Sequence, residues 1–197
     1  MTGIATDRPK LMTVEEFLDW DGGGHQGKME LVNGVVVAMS PASSTHGLIQ
    51  ANIAIAIGNH LRKTGRPCRV GSEQPISPTM GKRLNLRVPD VAVTCTPASD
   101  SKTMEEPLLI AEVMSPSNEM DTWASIQAVA GLISLKEILV VQSTRVEAEV
   151  YRRRADGGWP DEPNVVVREL GGSLRLESID LDLALTEIYW QTHLALT

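Results

Sequence analysis

Apolar and polar positions along this chain change period several times, and each change marks an element. Thr13 precedes VEEFLDW with Glu16 three residues on, the spacing of a capping box, so a short helix starts there; Phe17 and Trp20 anchor it and Gly22, Gly23 and Gly24 end it. KMELVNGVVVAMS then places Asn33-Gly34 between two apolar runs, the preferred two-residue hairpin turn, because both central positions must reach positive φ. After a turn at Pro41 to Ser44, Ser44 or Thr45 caps a helix reaching Lys63. Its apolar residues (Leu48, Ile49, Ile53, Ile55, Ala56, Ile57, Leu61) cover more than one face and predict a largely buried helix. Cys68 to Glu73 reads as a strand. Arg87 to Cys95 and Leu108 to Met114 are near-continuous apolar runs, which predicts central strands covered on both faces. Asn118 to Ser134 has helical character and Glu137 to Gln142 is another buried strand. Val146 to Arg152 and Asn164 to Glu169 are further strands, and Leu181 to Trp190 forms a closing helix or irregular cap.

This order predicts a mixed β-sheet flanked by helices, an α/β (mixed α+β) domain, without the regular βαβ alternation and Gly-rich turn of a dinucleotide-binding fold. Residues 1–12 are expected to form a flexible arm and residues 13–197 a single domain, the default at this length.

Two of the apolar runs carry an acid where a strand interior normally excludes one: Asp90 and Glu112. A buried, unpaired charge costs several kcal/mol, roughly, so something positive is expected between them, and a divalent cation is the simplest candidate. Glu30, on the first hairpin strand, is a third such acid. The bland alternative is an ion-pair network in which Arg87 or Arg69 neutralises them. His46, in the first turn of the long helix, can point at a neighbouring site, although a hydrogen-bonded structural histidine is the commoner case.

Composition adjusts this picture only a little. The formal net charge of −7 argues mildly against a generic nucleic-acid binder, yet seven basic side chains lie between Arg62 and Arg87 against one acid, Glu73. That stretch is either a solvated surface or a phosphate-facing rim. Cys68 and Cys95 show neither CxxC spacing nor a histidine cluster, and are expected to be reduced thiols. Met1 to Lys10 does not read as a signal peptide, and no apolar run approaches the about 20 residues of a membrane span, so the expected location is the cytoplasm.

The acids and their surroundings resemble the PD-(D/E)XK nuclease superfamily, the fold of many restriction endonucleases. More closely, the chain is similar to the bacterial Uma-two family of predicted endonucleases, through ELVNG at Glu30 to Gly34 and MSP at Met39 to Pro41. RVPDVAV at Arg87 to Val93, EVMSPSN at Glu112 to Asn118 with Asp121 beyond, and EILVV at Glu137 to Val141 continue the match. The resemblance implies a restriction-endonuclease-like core in which Asp90 and Glu112 bind Mg²⁺ (or Mn²⁺), Glu30 completes the acidic site, and His46, Arg87 and Asp121 meet a DNA substrate. Such an ion lowers the pKa of a bound water and neutralises charge on the scissile phosphate.

The chain departs from the superfamily at its lysine. Two residues after Glu112 stands Met114, and the helical position four after Asp121, to which many relatives move that lysine, is Ser125. Neither Gln127 nor Lys136 is placed to replace it. Loss of a positioned acid, base or charge costs about 10²–10⁴-fold in rate. The expected function is therefore a Mg-dependent DNA endonuclease lacking the usual lysine. The alternative is a catalytically impaired pseudo-nuclease acting as a binding or regulatory module. A homodimer is expected, with Ile188, Tyr189, Trp190 and Leu194 either capping the core or meeting a second subunit.

Overall fold

The computed structural model describes residues 11–24 and 27–196; of the expected arm at 1–12, residues 1–10 lie outside the described residues. Met12 is not loose, since its N–H donates to Gly34 O at 2.8 Å. Helix α1 (Val14–Asp19) carries the capping box in full, with Glu16 N–H donating to Thr13 Oγ1 and Thr13 N–H to Glu16 Oε2. The hairpin of β1 (Met29–Val32) and β2 (Val35–Ala38) follows the Asn33-Gly34 prediction, with φ of 51° and 81° at the two turn residues. A Cβ at Gly34 would stand 2.8 Å from Leu11 Cβ, so this glycine serves both the turn and the close approach of the preceding chain.

Helix α2 (Ser44–Thr64) is capped by Ser43 Oγ, which accepts from His46 N–H, and ends at Gly65 in the left-handed region. Ile49, Ile53, Ile57 and Leu61, spaced by four, are buried on one face, whereas Ile55 is 57% exposed. The helix is thus covered on one side, not largely buried. At about 1.5–3 kcal/mol for each fully buried aliphatic side chain, that single row is enough to fix it to the sheet.

The central sheet runs β3 (Arg69–Ser72), β4 (Val91–Thr94), β5 (Pro107–Met114), β6 (Glu137–Gln142), β7 (Ala148–Arg152), β8 (Val165–Val167), in that spatial order. Only β5 and β6 are parallel, and α3 (Glu119–Ala130) supplies the crossover between them, as a parallel pair requires. Strand β4 is shorter than the apolar run predicts. Pro89 has no N–H to give to a ladder, and the chain before it instead bridges elsewhere, Leu86 to Leu31 and Arg87 to Ile76.

Alternation along the strands sends side chains to two cores. Val91, Val93, Leu109, Ala111, Val113 and Leu139 face α2 and the C-terminal elements. Ala92, Ile110, Met114, Ile138 and Val140 face α3 through Ile126 and Val129. The C-terminal cap contains a hairpin absent from the sequence expectation, β9 (Ser173–Leu176) with β10 (Leu181–Ala184), followed by the short helix α4 (Leu185–Ile188). Its period-2 pattern was present in SLRL and LDLA, where Leu174, Leu176, Leu181 and Leu183 are buried. The buried Glu137 carboxylate clasps this hairpin by accepting from the N–H groups of Glu177 and Ser178 and from Arg152 Nε. Ile188, Tyr189 and Leu194 cap the core, and Trp190 remains 59% exposed.

The cysteines are not reduced thiols. Cys68 and Cys95 form a disulfide across the end of the β3–β4 pair, where the register that matches Arg69 with Thr94 sets them opposite each other. No helix among the described residues is long and apolar enough to cross a membrane.

Candidate active site

The antiparallel register that pairs Val91 with Ala111 brings Asp90 opposite Glu112, one step beyond the end of β4. Val113 N–H donates to Asp90 Oδ2 at 2.8 Å, and Asp90 N–H donates to Glu112 Oε2 at 3.3 Å. The two acids are 3% and 4% exposed, and both line a cavity of about 610 Å³ at the carboxyl end of β5. Glu112 lies two residues from Ile110 and from Met114, so it shares their strand face, the one covered by α3.

Glu30 joins them because the Leu31–Leu86 bridge lays β1 beside the segment leading into Asp90. Its carboxylate is fully engaged. Oε2 accepts from Arg87 Nη1 at 2.9 Å, and Oε1 accepts from Val88 N–H at 2.9 Å and from Ser125 Oγ at 3.1 Å. Arg87 is therefore a buried counter-ion of Glu30 and does not line the cavity, while Arg69 donates to Thr96 O. Neither arginine stands between Asp90 and Glu112, as the ion-pair alternative required.

The cation that does meet Asp90 is Lys28, a residue that no motif in the sequence singled out. Its Nζ is 2.9 Å from Asp90 Oδ1, and His46 Nε2 is 3.2 Å from Oδ2. The signal was available: Lys28 is two residues before Glu30, and period 2 turns both toward the same side of the hairpin. Ser125 reaches the cavity wall from α3, but Asp121, in the first turn of that helix, is exposed and does not. None of the seven basic residues between Arg62 and Arg87 lines the cavity, so that run forms no rim to it. Around the acids the walls carry Ser40, Ser43, Ser115, Ser117 and Asn118. The N-terminal ends of α2 and α3 both open there, and such ends favour anions through their free N–H groups.

The two facing acids have opposite electrostatics. Burial acts to raise the Asp90 pKa, but the His46 hydrogen bond and the Lys28 charge overcome it and hold the group at about 2. Glu112 is pushed well above the usual carboxylate range, by burial first and then by the negative charge of Asp90. Lys28 is shifted upward: burial acts to lower it, and the charges of Glu112 and Asp90 prevail. Among the described residues Glu112 accepts one long hydrogen bond, from Asp90 N–H, and the Lys28 charge offsets its burial only in part. Among the described residues no group of three or more His, Cys, Asp or Glu side chains is arranged as a metal cage. Two adjacent carboxylates opening on a cavity with hydroxyls in its wall nonetheless fit Mg²⁺, which binds through one or two carboxylates with waters and substrate phosphate completing its shell.

A mixed sheet with a parallel β5–β6 pair, helices on both faces and facing acids on neighbouring strands defines a restriction-endonuclease-like protein. The chain belongs to the Uma2 family, whose model, described as "Putative restriction endonuclease", matches residues 14–186. It is 32% identical over 184 residues to an uncharacterized protein of Synechocystis sp., covering 92% of each chain. It also matches a crystal structure from Anabaena variabilis, titled a putative nuclease belonging to DUF820. The TM-score is 0.68 and the identity 17%, over 90% of this chain and 97% of that one. That likeness is one of fold.

Proposed function

We propose that this protein is a Mg²⁺-dependent endonuclease that hydrolyses phosphodiester bonds in DNA. The observation that supports the reading is the facing pair Asp90 and Glu112, buried side by side on neighbouring strands and lining one cavity. Asp90 and Glu112 would hold the ion. When bound, it supplies an acidified water and neutralises charge on the scissile phosphate. Glu30, fixed by Arg87 and Ser125, borders the pair and keeps the floor acidic. His46, on the far side of Asp90 from Lys28, orients that carboxylate. The N-terminal ends of α2 and α3 and the wall hydroxyls favour the phosphate groups.

The test is Mn²⁺ calorimetry together with nicking of supercoiled plasmid, on the parent and on Asp90→Ala. The parent is expected to bind one ion and nick DNA, and the variant to lose binding and at least 10²-fold in rate. Absence of Mn²⁺ binding in the parent would overturn the reading. Binding without cleavage would favour the second one, an impaired nuclease serving as a binding or regulatory module. What supports that alternative is the lack of lysine at two positions: Met114 is buried in the α3-side core and Ser125 is spent on Glu30.

The assembly proposed is a homodimer. Ile55 and Trp190 border a groove of about 380 Å³ between α2 and α4, and both are more than half exposed. Light scattering at micromolar concentration should give twice the chain mass, reduced to one chain mass by Trp190→Asp; a monomeric parent would remove the proposal.

A further inference from the structure

Lys28 is an unusual lysine for its position. Lysines are seldom buried unless paired, because an ammonium ion loses its hydration in the interior. The Lys28 side chain is only 17% exposed, at the wall of the cavity, beside carboxylates that belong to other parts of the chain. Its backbone is fixed, since Lys28 O accepts from Met39 N–H at 2.9 Å across the hairpin. Its head is not. An ammonium has three N–H donors, and among the described residues Nζ makes one hydrogen bond, to Asp90 Oδ1.

Asp90 Oδ2 is already occupied by Val113 N–H and approached by His46, so Oδ1 is the oxygen left for an incoming cation. That oxygen is the one Lys28 holds. A divalent ion on Asp90 and the Lys28 ammonium therefore compete for one acceptor, and their like charges disfavour both staying. The four-carbon stem of lysine lets the head move several ångströms without moving the backbone. The space open to it is the cavity, where a substrate phosphate would meet the spare N–H donors.

We propose that Lys28 is the resident cation of this site: it is the counter-ion of Asp90 when no metal is bound, and it becomes a phosphate-contacting catalytic residue when a divalent ion takes its place. The proposal rests on the nuclease reading for its second half, and on the Lys28–Asp90 geometry alone for its first. It also gives the chain an ammonium that enters the cavity from the hairpin, where the α3 position offers only Ser125.

The first half is tested on the unaltered protein by pulsed acylation of lysines, read by peptide mass spectrometry with and without Mg²⁺. Lys28 should label at least threefold faster with Mg²⁺, while the exposed Lys63 labels at an unchanged rate. Equal labelling of Lys28 in both conditions, with Mg²⁺ shown to bind, overturns the proposal. The second half uses Lys28→Met and the double variant Lys28→Met/Ser125→Lys. The single variant should bind Mn²⁺ at least tenfold more tightly than the parent, having lost the competitor, yet cleave DNA at least 10²-fold more slowly. The second lysine should restore at least a tenth of the parent rate from α3, which a merely structural role for Lys28 would not allow. Parent-like cleavage by Lys28→Met counts against Lys28 and leaves the nuclease reading standing. Faster labelling with Mg²⁺ in a parent that never cleaves counts against the nuclease reading and leaves Lys28 as the counter-ion.

Discussion

At the scale of single residues, Asp90 and Glu112 make opposite contributions to stability. A carboxyl held below its ordinary value, as Asp90 is at about 2 against 3.8, stabilises the fold above the ordinary value; that contribution fades as pH falls through the lower one. Glu112 is the reverse. Its folded pKa lies above the ordinary 4.5, so its contribution is favourable below 4.5 and is lost as pH rises through the folded value. In metal-free protein near pH 7, Glu112→Gln should therefore raise the melting temperature. About 3 °C is expected if the gain is roughly 1 kcal/mol in a chain of this size. The gain should vanish below pH 4.5, and added Mn²⁺ should stabilise the parent more than the variant. A lower melting temperature for Glu112→Gln in metal-free buffer at pH 7 would contradict this account. Much of this chemistry was legible in the sequence, because an acid within an apolar strand is conspicuous wherever it occurs. Lys28 was not conspicuous, since a lysine at the foot of a hairpin reads as solvated surface until its neighbour across the fold is known.

At the scale of elements, legibility followed how local the cause is. The capping box of α1, the Asn33-Gly34 turn and the run Glu137–Gln142 depend on a few adjacent residues, and the structure places each where the sequence does. The lengths of β4 and α2's buried face did not follow, because a proline and a one-sided contact decided them. The Cys68–Cys95 bridge was invisible for a similar reason: 27 residues separate the two cysteines, and only the β3–β4 register makes them neighbours. A loop of that length closed in the unfolded chain is worth about 3.5 kcal/mol in the chain-entropy account. Urea unfolding of Cys68→Ser/Cys95→Ser, or of the parent with reductant, should show a loss of about 2–4 kcal/mol with an intact far-ultraviolet spectrum. An unchanged unfolding midpoint would mean that the bridge adds nothing to the ladder beside it.

At the scale of the whole molecule, the net charge of −7 is offset where it matters by local arrangement, not by a basic face. The cavity gathers helix N-termini, hydroxyls and the Lys28 ammonium around its acids, while the arginines between 62 and 87 that are tied to partners reach backbone carbonyls, Asn59 or Glu30. Under the proposed nuclease reading, affinity for DNA should come from the site more than from a broad electrostatic surface, which implies a shallow dependence on salt. The separation along the chain of the residues that meet at Asp90 has a further consequence. Lys28 is 62 residues away and Glu112 is 22, and the two are joined only when the N-terminal hairpin has docked on the finished β4–β5 pair. Contacts this distant in sequence are slow to form, because the loop between them must be closed before they give anything back. Asp90 and Glu112 therefore meet as soon as β4 and β5 pair, and the Lys28 counter-ion reaches them only in the completed molecule.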